Sequence, residues 1–270
     1  MVGTFFLDCL QLFEKSRRET PGNEMRVGTK YEMSKTFLFE LCADSLPAAL
    51  AAQAGGADRM ELCEQLEIDG LTPASSLLTS VLRSVSIPVH VLIRPRGGDF
   101  VYSPAEFALM RQQVLDAKAA GAAGVAIGML HADGRIDVAR TRELAQLARP
   151  MKVTFHRAFD KTVHQESALE DVIRVGADSL LTSGGAPNVL AGAEQLGRLK
   201  RQAGERLEIM AGGGLRLSNL AEVVRRSGVT CLHGSLASSP GVEAAKDGWL
   251  TENVREAVRL LQQECLEPAS

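Results

Sequence analysis

The sequence predicts an α/β fold, a (β/α)8 TIM barrel in a single domain, and three observations predict it. Short β-branched or apolar runs alternate with amphipathic segments rich in Ala, Leu, Glu and Arg, the pattern of parallel strands joined by helical crossovers. The alternation repeats eight times within about 230 residues, which suits a closed barrel better than an open sheet. Apolar residues make up 45% of the chain but aromatics only 4%. The core is therefore large, and Ala, Val, Leu and Ile must build it.

In chain order, strands are expected at 37–42, 59–63 and 89–94, each followed by a helix, at 46–54, 74–84 and 104–120. Pro88 opens the third strand, where its missing N–H costs least. Ser103-Pro104 supplies an N-cap and a proline at the first helical position, with Glu106 in the first turn. Strands at 124–129, 152–156 and 179–182 precede helices at 138–148, 166–175 and 188–203. Strands at 207–211 and 229–233 precede helices at 218–227 and 251–264. Gly121, Gly176 and Gly228 each follow a helical pattern and suit its left-handed C-terminal position.

Residues 1–34 are set apart from the barrel at 35–270. The stretch 5–13 is apolar but interrupted by Asp8 and Gln11, without a basic segment before it or a small-residue cleavage site after it, so it makes a poor signal peptide. Residues 14–35 are polar, with Pro21, Gly22 and Asn23 as breakers, and Met25 and Met33 could each start the chain. A flexible extension or an over-long gene start is expected there. The net charge of −3 comes without a basic stripe, so no nucleic-acid partner is expected. No apolar run has the length of a membrane span. Five cysteines with no close pair exclude a disulfide framework, and a reducing cytoplasm is the simplest setting.

In such a barrel the working residues stand at the C-terminal ends of the strands, and here those ends are polar. The first ends Glu40-Leu41-Cys42-Ala43-Asp44, the second Glu61-Leu62-Cys63, the third Arg94-Pro95-Arg96 and the fifth Thr154-Phe155-His156-Arg157. Charged groups within strands are costly unless paired. One reading makes Glu40, Glu61 and Arg94 a buried structural network. The other makes Glu40, Glu61, Arg94 and His156 a catalytic set, with Glu or His exchanging protons and Arg94 holding an anion or pinning a carboxylate. His90 lies near the start of its strand and is expected to be a satisfied structural residue.

Glycines suggest an anion site. Gly212, Gly213 and Gly214 follow the seventh strand and Gly234-Ser235 the eighth, where barrels often hold phosphate on backbone N–H groups. Arg96, Thr182 and Ser183 are expected to join them around a small anionic ligand. The alternative is that these glycines only make tight turns. Cys42 and Cys63 end adjacent strands, which lie roughly 5 Å apart. Two thiolates suit Cu(I), a soft ion, although buried cysteine is also an ordinary small hydrophobe.

At these same strand ends the chain resembles the CutC family. The matching stretches are ELCADS at 40–45, GGADRMELC at 55–63, GLTP at 70–73, IPVHVLIRPRGGDF at 87–100, VTFHRAFD at 153–160, LTSGG at 181–185, MAGGG at 210–214 and HGS at 233–235. The resemblance implies a cytoplasmic (β/α)8 barrel, often a homodimer, associated with copper tolerance and copper binding, without an agreed reaction. Ile68-Asp69-Gly70 stands where the family tends to have Glu-Gly-Gly, and 236–249 is shorter than the loop many members carry over the barrel mouth. Two functions follow as expectations: a copper-homeostasis protein that binds copper, or a metal-independent enzyme acting on a small phosphorylated or anionic metabolite.

Overall fold

The structure is a computed structural model that describes residues 37–236 and 248–266. The expected extension at 1–34 and most of the short segment after Ser235 lie outside the described residues. Eight strands form a closed parallel barrel in sequence order. They are β1 Leu38–Ala43, β2 Arg59–Leu62, β3 Val89–Leu92, β4 Gly124–Ile127, β5 Lys152–Phe155, β6 Ser179–Thr182, β7 Glu208–Gly212 and β8 Cys231–Gly234. The helices that follow are α1 Leu46–Gly55, α2 Ser75–Ser84, α3 Pro104–Ala120, α4 Val138–Ala148, α5 Gln165–Val175, α6 Ala193–Ala203, α7 Leu217–Ser227 and α8 Trp249–Leu266. None of the described helices is long and apolar enough to cross a membrane.

The expected helix signals act as read. Ser103 Oγ accepts from Glu106 N at 3.3 Å, and Glu106 Oε2 accepts from Ser103 N at 2.7 Å, a reciprocal cap on α3. One boundary differs: α6 was expected from 188 but starts at Ala193. Asn188 Oδ1 accepts from Leu190 N and Ala191 N at 3.1 and 3.0 Å. That local turn competes with helix for the same amides.

Strand alternation divides the barrel's side chains between two environments. Phe39, Leu41, Met60, Leu62, Val91 and Ile93 join the helices in the main core, and truncating one such leucine to alanine would cost about 2–5 kcal/mol. The alternate positions face the lumen. There Cys42, Cys63, Leu92 and Ala126 form one small apolar cluster, and Leu181, Met210 and Cys231 another. Three glycines on the lumen side make room for three histidines. A β-carbon on Gly124 would lie 2.6 Å from His90 Nε2, one on Gly128 2.5 Å from His156 Cε1, and one on Gly212 3.1 Å from His233 Cδ2.

The barrel closes where β1 pairs with β8, in a register that sets Glu40 opposite His233. Outside this seam α1 and α8 pack closely: a β-carbon on Gly55 would lie 2.5 Å from Val254 Cβ.

Candidate functional site

A cavity of about 340 Å³ opens at the C-terminal end of the barrel, and Cys42, Glu61, Arg94, His156 and His233 line it. The loops after β5 and β7 and the end of β8 add Arg157, Asp160, Gly213, Gly214, Gly234 and Ser235 to the wall. The strand ends thus converge as the sequence predicts, but the expected residues take different parts.

Glu40 does not line this cavity. It is buried in the lumen, where Oε1 pairs with His233 Nδ1 at 2.7 Å and Oε2 takes Arg59 Nε at 2.5 Å. Burial alone would raise its pKa. The His233 hydrogen bond, with the charges of His233 and Arg59, outweighs burial and holds the carboxyl at about 2. Arg59 also reaches Met210 Sδ at 3.3 Å and Cys231 Sγ at 3.6 Å. Of the expected network of Glu40, Glu61 and Arg94, only Glu40 is in this cluster, and its partners are Arg59 and His233. His90 belongs to its edge, 3.7 Å from Glu40, but its Nδ1 has no hydrogen-bond partner, contrary to the expected satisfied histidine.

Glu61 stands on the cavity floor in a different state. Burial pushes its carboxyl up to about 6, because the favourable charge of His233 compensates only in part. Its Oε1 lies 3.7 Å from Cys42 Sγ. Cys42 Sγ is also 3.7 Å from Cys63 Sγ. The Cys63 hydrogen bond, followed by burial and the Glu61 charge, raises the Cys42 thiol well above its ordinary value. His233 is raised: burial opposes its charge, but the Glu40 bond and both carboxylates favour it. Cys42, Glu61 and His233 offer donor atoms within 4.8 Å of one another, all buried.

Arg94 clamps loops rather than carboxylates. Its Nη1 donates to Ile68 O and Gly70 O at 2.9 Å, and Nη2 to Gly98 O at 3.2 Å, while the guanidinium lies 5.1 Å from the Phe100 ring centroid. Buried carbonyls with free lone pairs are natural partners for such a fork. Arg96 is a correction: it does not line the cavity. Its Nε is held by Glu106 Oε1 at 2.5 Å, its Nη2 by Asp99 Oδ1 at 2.9 Å, and its face lies over Tyr102. The helix-capping carboxylate therefore claims the charge expected for an anion.

Thr182 and Ser183 are corrected likewise, since both serve Asp160. Thr182 Oγ1 donates to Asp160 Oδ1 at 2.5 Å and Ser183 N at 3.1 Å. Asp160 Oδ2 accepts from Arg157 Nε at 2.9 Å. Gly212 is a lumen spacer, where a β-carbon would lie 2.4 Å from Leu181 Cδ1 and 3.1 Å from His233 Cδ2, and not a cavity residue. Gly213 and Gly214 do line the cavity, both at positive φ, 106° and 74°, a conformation that glycine adopts without a β-carbon penalty. Over Gly213 sits Arg157, whose Cζ would be 2.8 Å from a β-carbon there. Arg157, Asp160 and His233 are the residues sequence reasoning passed over. All three lie in quoted motifs, VTFHRAFD and HGS, and the three-residue spacing of Arg157 and Asp160 was the available signal for an ion pair on one turn.

His156 is buried, and its Nδ1 accepts Ala158 N–H at 3.2 Å. Burial, then the nearby Arg94 charge, depresses its pKa to about 3. The expected proton-exchanging histidine is thus held neutral.

Comparison with known proteins gives consistent results. A family model described as the CutC family matches residues 37–238. A CutC family protein of Chromobacterium violaceum is 49% identical over 198 residues, 73% of this chain and 80% of the relative. One of Caulobacter vibrioides is 44% identical over 207 residues, 76% and 84% of the respective chains. Among solved structures, one described as a copper homeostasis protein CutC from Streptococcus agalactiae superposes with a TM-score of 0.71 at 28% identity, covering 75% of this chain and all of that one. A thiamine phosphate pyrophosphorylase from Pyrococcus furiosus, at TM-score 0.56 and 16% identity over 86% of this chain and 98% of that one, shares the barrel fold alone.

Proposed function

The chain belongs to the CutC family, and from that premise we propose that it serves copper homeostasis by holding Cu(I) on Cys42 and Cys63, with His233 and Glu61 beside them. The observation that carries this reading is the thiol pair, Cys42 in the cavity wall and the buried Cys63 behind it, 3.7 Å apart. Cys42 also shares with Glu61 and His233 a group of donor atoms within 4.8 Å of one another, so imidazole and carboxylate would stand beside the thiols. Soft sulfur with imidazole is a donor set for a soft ion. The same reading puts the protein in the cytoplasm, where thiols stay reduced, as a homodimer that light scattering would detect.

The test is an anaerobic Cu(I) titration against a competing chromogenic chelator. Wild type should take up one Cu(I) per chain, and Cys42→Ser with Cys63→Ser should take up none. Unchanged uptake by the double variant would refute the thiol site.

A second reading is favoured by a separate observation. Arg157, positioned by Asp160 over Gly213, gives the cavity wall a cation beside Gly214, Gly234 and Ser235. That wall suits a small anion, phosphate among them, and Glu61 near 6 would be the base of a metal-independent enzyme. Inorganic phosphate should raise the melting temperature of wild type and not that of Arg157→Gln. An equal response of the two proteins would remove Arg157 from the site.

A further inference from the structure

Among the cavity's side chains, His156 has one ring nitrogen occupied and one left over. Nδ1 accepts the Ala158 amide at 3.2 Å, so its lone pair is used and the single proton of the neutral ring must be on Nε2. That Nε2–H is buried without a hydrogen-bond partner, in a residue that is 4% exposed and lines the cavity. Buried donors are nearly always satisfied, so an unpaired one in a cavity-lining residue points to a ligand acceptor.

The ring has little freedom to change this. A β-carbon on Gly128 would lie 2.5 Å from Cε1 and 2.6 Å from Nδ1, so the ring edge lies directly against that backbone. Phe100 and Phe155 flank the ring, their centroids 5.2 and 6.1 Å away. Arg94 lies on the same Phe100 ring, 5.1 Å from its centroid, and its fixed positive charge opposes a second proton on the imidazole. Accepting a proton at Nε2 would first require moving the existing one to Nδ1, which breaks the Ala158 bond. The geometry thus favours donation over proton exchange.

We propose that His156 binds the ligand of this cavity as a neutral hydrogen-bond donor, its Nε2–H directed at a carbonyl or carboxylate oxygen. The ligand class is then a small acid with two electron-rich ends, an anionic head for Arg157 and the glycine loops and a second oxygen group for His156. The positive potential of Arg94 favours the same kind of oxygen. This rests on the second reading above, that the cavity holds a small anion, and does not involve Cys42, Cys63 or copper.

Two measurements on the full chain test it. In imidazole ¹⁵N NMR, with His156→Gln used to assign the signal, His156 should show the Nε2–H tautomer. A proton on Nδ1, or an imidazolium at neutral pH, would overturn the proposal. Calorimetric titration then compares inorganic phosphate with 2-phosphoglycolate, which carries a phosphate and a carboxylate. Wild type should bind both. His156→Phe, which keeps a ring and removes the donor, should lose about tenfold or more in phosphoglycolate affinity with phosphate affinity unchanged, and His156→Gln should recover part of the loss. Equal phosphoglycolate affinity in wild type and His156→Phe sinks the proposal while the anion reading stands. Failure of wild type to bind either probe sinks both.

Discussion

Replacing Glu40 by glutamine tests whether the lumen is held together by charge. Glu40 Oε2 pairs with Arg59, whose side chain is only 12% exposed, and Oε1 with His233 at 2.7 Å. Glutamine keeps the shape and leaves the guanidinium only the partly exposed Glu208, 3.6 Å away, as counter-charge. Removing one partner of a buried pair costs about 3–5 kcal/mol. An independent figure comes from the carboxyl itself, held at about 2 against 4.5, which at roughly 1.4 kcal/mol per pKa unit is about 3 kcal/mol. The two meet near 3 kcal/mol, or a fall in melting temperature of about 6–12 °C for a chain of this size. The assay is urea unfolding at pH 7 of Glu40→Gln, Arg59→Met and the double variant. Once Arg59 is gone, losing Glu40 leaves no uncompensated guanidinium, and His233 can release its proton. The double variant should therefore be more stable than the sum of the single losses predicts, by about 2 kcal/mol. A single-variant loss below about 1 kcal/mol, or strict additivity, would show that Glu40 is merely tolerated.

Gly128→Ala should push the His156 ring off its seat and cost about 1–3 kcal/mol from overpacking; an unchanged melting temperature would show that the ring is not confined as described. Cu(I) affinity should rise with pH, because the raised Cys42 thiol and the raised His233 must lose protons before they ligate. Each proton released adds about tenfold per pH unit, and a flat profile in the chelator titration would exclude the thiol as a ligand. Acid should destabilise the fold. Glu40 at about 2 against 4.5 and His156 at about 3 against 6.5 both lie below their ordinary values. Their contributions are complete above those ordinary values and are lost as pH falls through the folded ones. Glu61, raised to about 6, works in the opposite sense: it favours the fold below 4.5 and loses that contribution as pH rises through 6. Its smaller span should not prevail, so the urea midpoint should drop between about pH 6 and pH 3; a midpoint that rises on acidification would reverse this ordering.

What the sequence disclosed follows from what periodicity encodes. Alternation put Glu40, Glu61 and Cys42 on the lumen side, because each strand residue has only two directions to face. It also located every strand end, and with them the cavity. Loops carry no such rule. Arg96 and Arg157 both follow strand ends, and nothing in their spelling says that one turns to Glu106 while the other lies over Gly213. Polarity and position point Thr182 and Ser183 toward a ligand, whereas a carboxylate 22 residues before Thr182, Asp160, claims that hydroxyl. The start of α6 was lost to the Asn188 turn, a competition decided by one side-chain oxygen. Glycine was legible as a marker of close approach but not of what approaches. At Gly212 it is Leu181 and His233 from within the protein, not an anion.

The bond between Glu40 and His233 joins residues 193 apart in sequence, across the seam where the last strand meets the first. During synthesis at roughly 5–20 residues per second, about 10–40 s separate the emergence of these two side chains. Over that interval β1 has an unpaired edge, and Glu40 has Arg59 and His90 but not His233. The cavity lining cannot be complete before His233 has emerged, because that residue belongs to β8. The cavity therefore waits for β8: a chain stalled before that strand presents thiols and carboxylates but no finished cavity.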